Sequence, residues 1–201
     1  MTDAAAWDER YRSSQLVWSA GPNATVEAAC AQLPPGRALD LAAGEGRNAI
    51  WLAARGWEVE AVEFSSVAID KGRELAEHRG VELTWTHADL TGPVTLAPAD
   101  LVLLAYLQLP RESLASIHPW AARLVAPGGT LLLVGHARRN LDEGIGGPQD
   151  PQVLLTVDQV RRDLDGTGLV VTRAEEILRP VETEDGVRHA IDLVVQAHRP
   201  Q

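Results

Sequence analysis

Two glycines, in Gly44-Glu45-Gly46, stand between an apolar run, Ala38-Leu39-Asp40-Leu41, and a helical pattern that opens at Arg47-Asn48. Only glycine turns a backbone this tightly and lies against a ligand with no Cβ between them. The helix that follows offers unpaired N–H groups at its start. Nineteen residues past Gly44 the next apolar run, which begins at Trp57, ends in Glu63, where a carboxylate can grip a ribose diol. The chemistry to which this spacing points is the binding of a nucleoside cofactor. Gly44-x-Gly46-x-x-Ala49 also satisfies the dinucleotide fingerprint. Asp40, four residues before Gly44, separates the options. A carboxylate there suits a cationic or amino-bearing ligand and repels a pyrophosphate, which favours S-adenosylmethionine over NAD.

The elements that must position these residues are legible as alternating strand-like and helical stretches, the pattern of βαβ units and a mostly parallel sheet. Asn23, Ser65 or Ser66, and Thr156 with Gln159 as a capping box read as helix starts, and Gly56 and Gly80 as helix ends. Pro119 interrupts the helix expected from Glu112 to Leu124 and predicts a kink or restart. Two long strand-like runs, Leu169 to Val181 and Val187 to His198, are separated only by Glu182-Thr183-Glu184-Asp185-Gly186. That is hairpin spacing, without room for the crossover helix a parallel pair needs.

Asp40-Leu41-Ala42-Ala43-Gly44-Glu45-Gly46 resembles the first motif, D/E-x-G-x-G-x-G, of the class I S-adenosylmethionine-dependent methyltransferases, with Ala42 in place of the first glycine. His87-Ala88-Asp89-Leu90, Asp100 to Leu107, and Leu124-Val125-Ala126-Pro127-Gly128-Gly129 with the apolar run to Val134 follow in that family's order and spacing. The resemblance implies an α/β, Rossmann-like doubly wound sheet of seven strands in the order 3-2-1-4-5-7-6, the last strand antiparallel. It implies one methyltransferase domain over residues 1–201. It also implies S-adenosyl-L-methionine as cofactor, held by Asp40, Ala42, Gly44, Gly46, Arg47, Asn48, Glu63, Phe64, Ser65, Asp89, Leu90, Ala105 and Tyr106. Trp7 to Arg12 with Leu16-Val17-Trp18 looks like the N-terminal cover, residues 1–22, of the tellurite-resistance and thiopurine-type branch. Trp18 is the candidate for roofing the sulfonium by a cation–aromatic contact. In that branch basic residues around the last hairpin are associated with substrate handling, and Arg179 and Arg188 match such positions, whereas Leu178 stands where the branch can carry a histidine.

Residues 135–156 carry no helical or strand periodicity, include Gly144-Ile145-Gly146-Gly147-Pro148, and leave the end of the fifth strand, so a lid is expected there. His136 at its root is the candidate proton acceptor for an oxygen or nitrogen nucleophile; a thiolate or other soft chalcogen nucleophile needs none.

Composition narrows the partners. The 201-residue chain has a net charge of −10 and no basic stripe, which opposes nucleic-acid backbones. Ala105-Tyr106-Leu107-Gln108 replaces the N/D-P-P-Y/F of amino-directed DNA methyltransferases. A small-molecule acceptor is therefore expected, without nucleic acid or membrane. One cysteine, Cys30, excludes a disulfide framework and a cysteine zinc cage, and no metal is expected. No window has the apolar length of a membrane span and the start lacks a secretory pattern, so a cytoplasmic monomer or homodimer is expected. The readings kept beside the thiol or chalcogen acceptor are an O- or N-methyltransferase of a metabolite, a non-catalytic S-adenosylmethionine-binding protein, and a dehydrogenase.

Overall fold

The computed structural model describes residues 4–14, 16–17 and 21–201. Seven strands form one sheet: β1 (Arg37–Leu41), β2 (Glu58–Glu63), β3 (Thr84–His87), β4 (Ala99–Ala105), β5 (Val125–His136), β6 (Val170–Thr183) and β7 (Gly186–His198), in the order β3-β2-β1-β4-β5-β7-β6. β1 to β5 pair in parallel, and β7 runs antiparallel to both β5 and β6. This is the Rossmann-like order expected. The antiparallel β7 sets the dehydrogenase reading aside.

The central strands are apolar on both faces because both are covered. Helices α2 (Ala24–Cys30) and α3 (Arg47–Ala54) pack Val26 and Leu52 against Leu101, Leu103 and Val194. On the opposite face α5 (Arg111–Arg123) and α7 (Val157–Leu164) pack Leu114, Ile117, Val160 and Leu164 against Leu131, Leu133 and Leu193. Two further helices, α1 (Ala4–Arg12) and α4 (Ser66–Arg79), meet each other beside β2, with Trp7 and Tyr11 against Ala68. The expected caps form: the Asn23 side chain accepts from Thr25 and Val26 N–H, that of Ser65 from Ala68 N–H, the Thr156–Gln159 box closes, and Gly80 ends α4 in the left-handed region.

Three expectations are corrected. Helix α5 runs through Pro119 as one helix, which removes the restart from the expected kink or restart. Its lost amide bond is offset by ties to α7, where Asp163 accepts from His118 Nδ1 at 2.8 Å and from both terminal nitrogens of Arg111. The hairpin turn is only two residues, because β6 and β7 stay paired to Thr183↔Gly186. β5 pairs with β7 only as far as His136↔Asp192, so the pairs from Arg179↔Ala190 to Thr183↔Gly186 extend past the sheet as a two-stranded ribbon.

The third correction concerns residues 135–156, which hold more regular structure than their lack of periodicity suggested. A short helix, α6 (Asn140–Glu143), and a 3₁₀ turn (Pro151–Val153) lie within the segment, and Ala137 bridges Leu155. Val153, Leu154 and Leu155 are buried. Buried Asn140 accepts from Ile191 N–H at 2.6 Å and donates to Gly146 O at 2.8 Å. These ties rest on tertiary pairing, which periodicity does not reveal. No helix among the described residues is long and apolar enough to cross a membrane.

Candidate functional site

The carboxyl ends of β1, β2, β3 and β4 open onto a cleft whose floor is the β1–α3 turn. The turn contains three residues at positive φ: Ala42 (+62°), Gly44 (+59°) and Gly46 (+76°). Gly44 lines the cleft and donates its N–H to Glu63 Oε2 at 2.8 Å, while Ser65 N–H donates to Glu63 Oε1 at 2.9 Å. Burial pushes the Glu63 pKa up, against these amide contacts, which stabilise its anion. Each carboxylate oxygen accepts one bond here and has capacity for another. The end of β2 thus presents a pre-aimed acceptor pair for a diol.

Three of the expected ligand residues do not line this cleft. Gly46 caps α3, and a Cβ there would strike the Trp85 ring, so its glycine is required by packing rather than by a ligand's approach. Ser65 is fully buried, spending its hydroxyl on the α4 cap and on Asp8. Asp40 lies beneath the turn, 1% exposed, and neither of its carboxylate oxygens has a hydrogen-bond partner. Burial pushes its pKa up to about 7, against the Ala49 amide and the Arg47 charge and with the help of Glu63. Below it the Cys30 thiol is pushed up to about 12 by burial and then by Asp40.

Ala42, Arg47, Asn48, Phe64, Asp89, Leu90, Ala105 and Tyr106 do line the cleft. Asn48 Oδ1 accepts from Asn23 N–H at 2.9 Å, pinning α2 to α3. Trp18 lies outside the described residues. Two other aromatic residues of the N-terminal stretch, Trp7 and Tyr11, close one wall. Lys71 Nζ secures them by donating to the carbonyls of Tyr11 and Ser14, and Asp8 bonds Ser65. Glu45, inside the glycine turn, accepts from Val17 N–H at 3.0 Å and lies 3.4 Å from Lys71 Nζ. Loop residues Leu107, Gln108 and Leu109 complete the wall and were not anticipated.

At the β5–β7 end the structure brings together residues far apart in sequence. Asp192, fully buried on β7, accepts at Oδ2 from the Tyr106 hydroxyl and from Arg179 Nε, each at 2.6 Å. Its Oδ1 faces His136 Nδ1 at 3.3 Å, and neither of those two atoms completes a hydrogen bond. The Tyr106 and His136 rings lie 4.7 Å apart at 53°, and Asn23 Nδ2 donates to the Tyr106 oxygen at 3.2 Å. Burial, then Asp192, pushes the Tyr106 pKa up, so its hydroxyl keeps its proton and donates. Burial pushes the Asp192 pKa up, but its three neighbours outweigh that and hold the group ionised. His136, 9% exposed, sits behind Tyr106 rather than in the cleft wall. Arg188 stays exposed on the ribbon, opposite Val181 and away from this cluster. Asp192 and Asn23 were missed as site residues. The available signal for the former was a lone charge inside the apolar run Ala190-Ile191-Asp192-Leu193-Val194.

The segment expected to be a lid contributes no residue to this cleft. Its Arg138, Pro151, Gln152 and Leu154 line a second, polar depression with Pro110, Arg111, Glu112 and Gln159.

Residues 38–129 match a methyltransferase-domain family model. A tRNA 5-carboxymethoxyuridine methyltransferase of Escherichia coli K12 is 33% identical over 107 residues, 49% of this chain and 39% of that protein. The chain thus spans well under half the length of the curated relatives it matches. Among solved structures, one reported for conversion of a disulfide bond into a thioacetal group during echinomycin biosynthesis superposes with a TM-score of 0.79 at 21% identity, covering 98% of this chain and 92% of that one. TehB from Haemophilus influenzae superposes at 0.73 and 18% identity, over 89% and 62%.

Proposed function

We propose that this chain, a class I S-adenosylmethionine-dependent methyltransferase by its domain and fold, moves a methyl group onto a small molecule through a soft nucleophile, a thiol or related chalcogen. The carrying observation is the pairing of a pre-aimed, amide-fixed Glu63 with the unpartnered, buried Asp40 on either side of the Gly44 turn. The first suits a ribose diol. The second suits a ligand that brings an ammonium group, and a pyrophosphate would meet its charge.

S-adenosylmethionine supplies a methyl on a sulfonium leaving group. Ala42, Gly44 and Arg47 would hold its methionine end, Glu63 its ribose, and Asp89 and Leu90 its base. Trp7 and Tyr11 exclude water from one wall, which matters because in-line methyl transfer depends chiefly on alignment and a dry site. A soft acceptor is supported by the shortage of bases in the cleft: the Tyr106 hydroxyl keeps its proton, and His136 is screened behind it. A thiol that ionises in water needs neither. The structural neighbour reported for disulfide-to-thioacetal conversion supports sulfur chemistry at this fold. The chain's charge of −10 disfavours a polyanionic acceptor, although the relatives it matches are named as tRNA and rRNA methyltransferases. We read residues 1–201 as one domain, with residues 144–150, between the buried anchors Asn140 and Val153 and tied to the first through the Gly146 carbonyl, as the part of the 135–156 segment that would close.

Calorimetry with S-adenosylhomocysteine tests this directly. Wild type binds it and does not bind NAD, and Glu63→Ala weakens binding by about tenfold or more, because hydrogen bonds to a charged group contribute about 1.5–3 kcal/mol each. Unchanged affinity in a folded Glu63→Ala protein would sink the assignment. Turnover on thiols but not on tRNA separates the acceptor classes, and methylated tRNA would reverse that part.

A further inference from the structure

The cleft is polarised. Its β2–β3 end carries Glu63 and Asp89, while its β4 side carries Arg47, with the half-buried Arg179 guanidinium nearby. Burial, and then the Arg179 charge, push the Arg47 pKa down against the pull of Tyr106 and Asp40, which places the two cations within electrostatic reach of one another. Asp192 already neutralises the Arg179 charge, so what this corner offers a ligand is the guanidinium's remaining donors beside the Arg47 charge.

We propose that Asp192 is a positioning residue: it holds the Arg179 guanidinium against Tyr106, at the edge of the cleft, ready to take an anionic group carried by the methyl acceptor. This rests on the reading of the cleft as a methyl-transfer site and adds the acceptor's charge class to it. One oxygen of Asp192 accepts from both partners, Arg179 Nε and Tyr106 Oη, each at 2.6 Å. Arg179 stands on β6 and Tyr106 directly follows β4, so a single buried carboxylate ties the last hairpin to a residue that lines the cleft. A guanidinium has five N–H donors in a rigid fork. Asp192 uses only Nε–H, so the terminal amino groups keep donors for a ligand, and a carboxylate matches such a fork in two parallel bonds. Asn23 fixes the Tyr106 oxygen from the other side. The corner is therefore set before any acceptor arrives, which removes the entropy of ordering a long side chain from the cost of binding.

The test uses a matched pair of thiols on the full chain saturated with S-adenosylhomocysteine: 3-mercaptopropionate, which carries a carboxylate, and 3-mercapto-1-propanol, which does not. Calorimetric or thermal-shift titration of wild type is expected to show a preference for the carboxylate of about tenfold or more, lost as the pH falls below the probe's carboxylate range. Asp192→Ala is expected to cut the preference below twofold. Asp192→Asn, which keeps an acceptor oxygen but not the charge, gives an intermediate value. Arg179→Gln abolishes the preference, and adding Asp192→Ala to it produces no further loss. Should Asp192→Ala fail to fold, the Asn variant and the Arg179→Gln background carry the comparison. A wild type without the preference, or an Asp192 variant that retains it while Arg179→Gln loses it, overturns the proposal. Failure of S-adenosylhomocysteine to bind wild type overturns the reading of the cleft instead.

Discussion

The two ends of the cleft are built by different means. At the β1–β2 end the polar work is done by backbone: Gly44 and Ser65 amides fix Glu63, and three positive-φ residues shape the turn. At the β5–β7 end it is done by side chains from three separate stretches, meeting on Asp192. A backbone-built end is sensitive to residues that bend or crowd the chain and tolerant elsewhere. A side-chain-built end keeps its fold through many substitutions and changes what it recognises instead.

The strongest test of that contrast is Gly46→Val. A branched side chain at φ +76° and against Trp85 combines backbone strain with overpacking, and the expected loss of stability is about 3 kcal/mol or more. Chemical denaturation measures it; a loss below about 1 kcal/mol would mean the turn can relax around the side chain. Every ligand is lost with the fold in this variant, whereas Arg179→Gln at the other end should cost only what Asp192 loses with its charged partner and leave S-adenosylhomocysteine binding in place.

Asp40→Asn comes next and reads out through pH. Asp40 has its folded pKa raised to about 7 from 3.8, so the fold prefers the protonated acid. Its contribution is most favourable below about pH 4, declines as the pH rises toward 7, and is flat above that. The Asn variant does not titrate. Without ligand it should be more stable than wild type at pH 8, by an amount on the order of a few kcal/mol, with the advantage shrinking toward pH 4.5. Thermal melts of both proteins across that range decide it, and a constant difference would remove Asp40 as the source. Under the proposed function S-adenosylhomocysteine affinity should fall in the same variant, because the buried charge that would attract the ligand's ammonium is gone.

Ala42→Gly is the smallest effect. An alanine at φ +62° carries a steric penalty that glycine lacks, so the variant should gain about 1 kcal/mol, seen as a higher melting temperature without ligand. No gain would show that the alanine methyl makes compensating contacts.

The same contrast explains what was readable from residue order alone. Asp40, Ala42, Gly44 and Glu63 are linked by short spacing and by strand ends, and spacing is visible in a chain. Gly46 shows the limit of that logic, since the glycine pattern does not reveal that Trp85, thirty-nine residues on, occupies the space its Cβ would need. Asp192 was passed over because alternation along a strand says which side a residue faces and nothing about what crosses from β4, β5 or β6. Residues 135–156 looked unstructured because their order comes from Asn140 and a single bridge to Leu155, neither of which has a period.

The place where β5 stops has a mechanical consequence. His136↔Asp192 is the last rung on which β7 has a strand on each side, and Arg179, paired with Ala190, stands two rungs beyond it. From there about 16 Å of ribbon, at about 3.3 Å per residue, has no third strand to oppose bending or its own twist. Asp192 shares the stiffness of the frame, and Arg179 shares the compliance of the arm. Their ion pair is the joint between the two, so a load applied at the ribbon's tip arrives at the guanidinium before it reaches Tyr106 and the cleft.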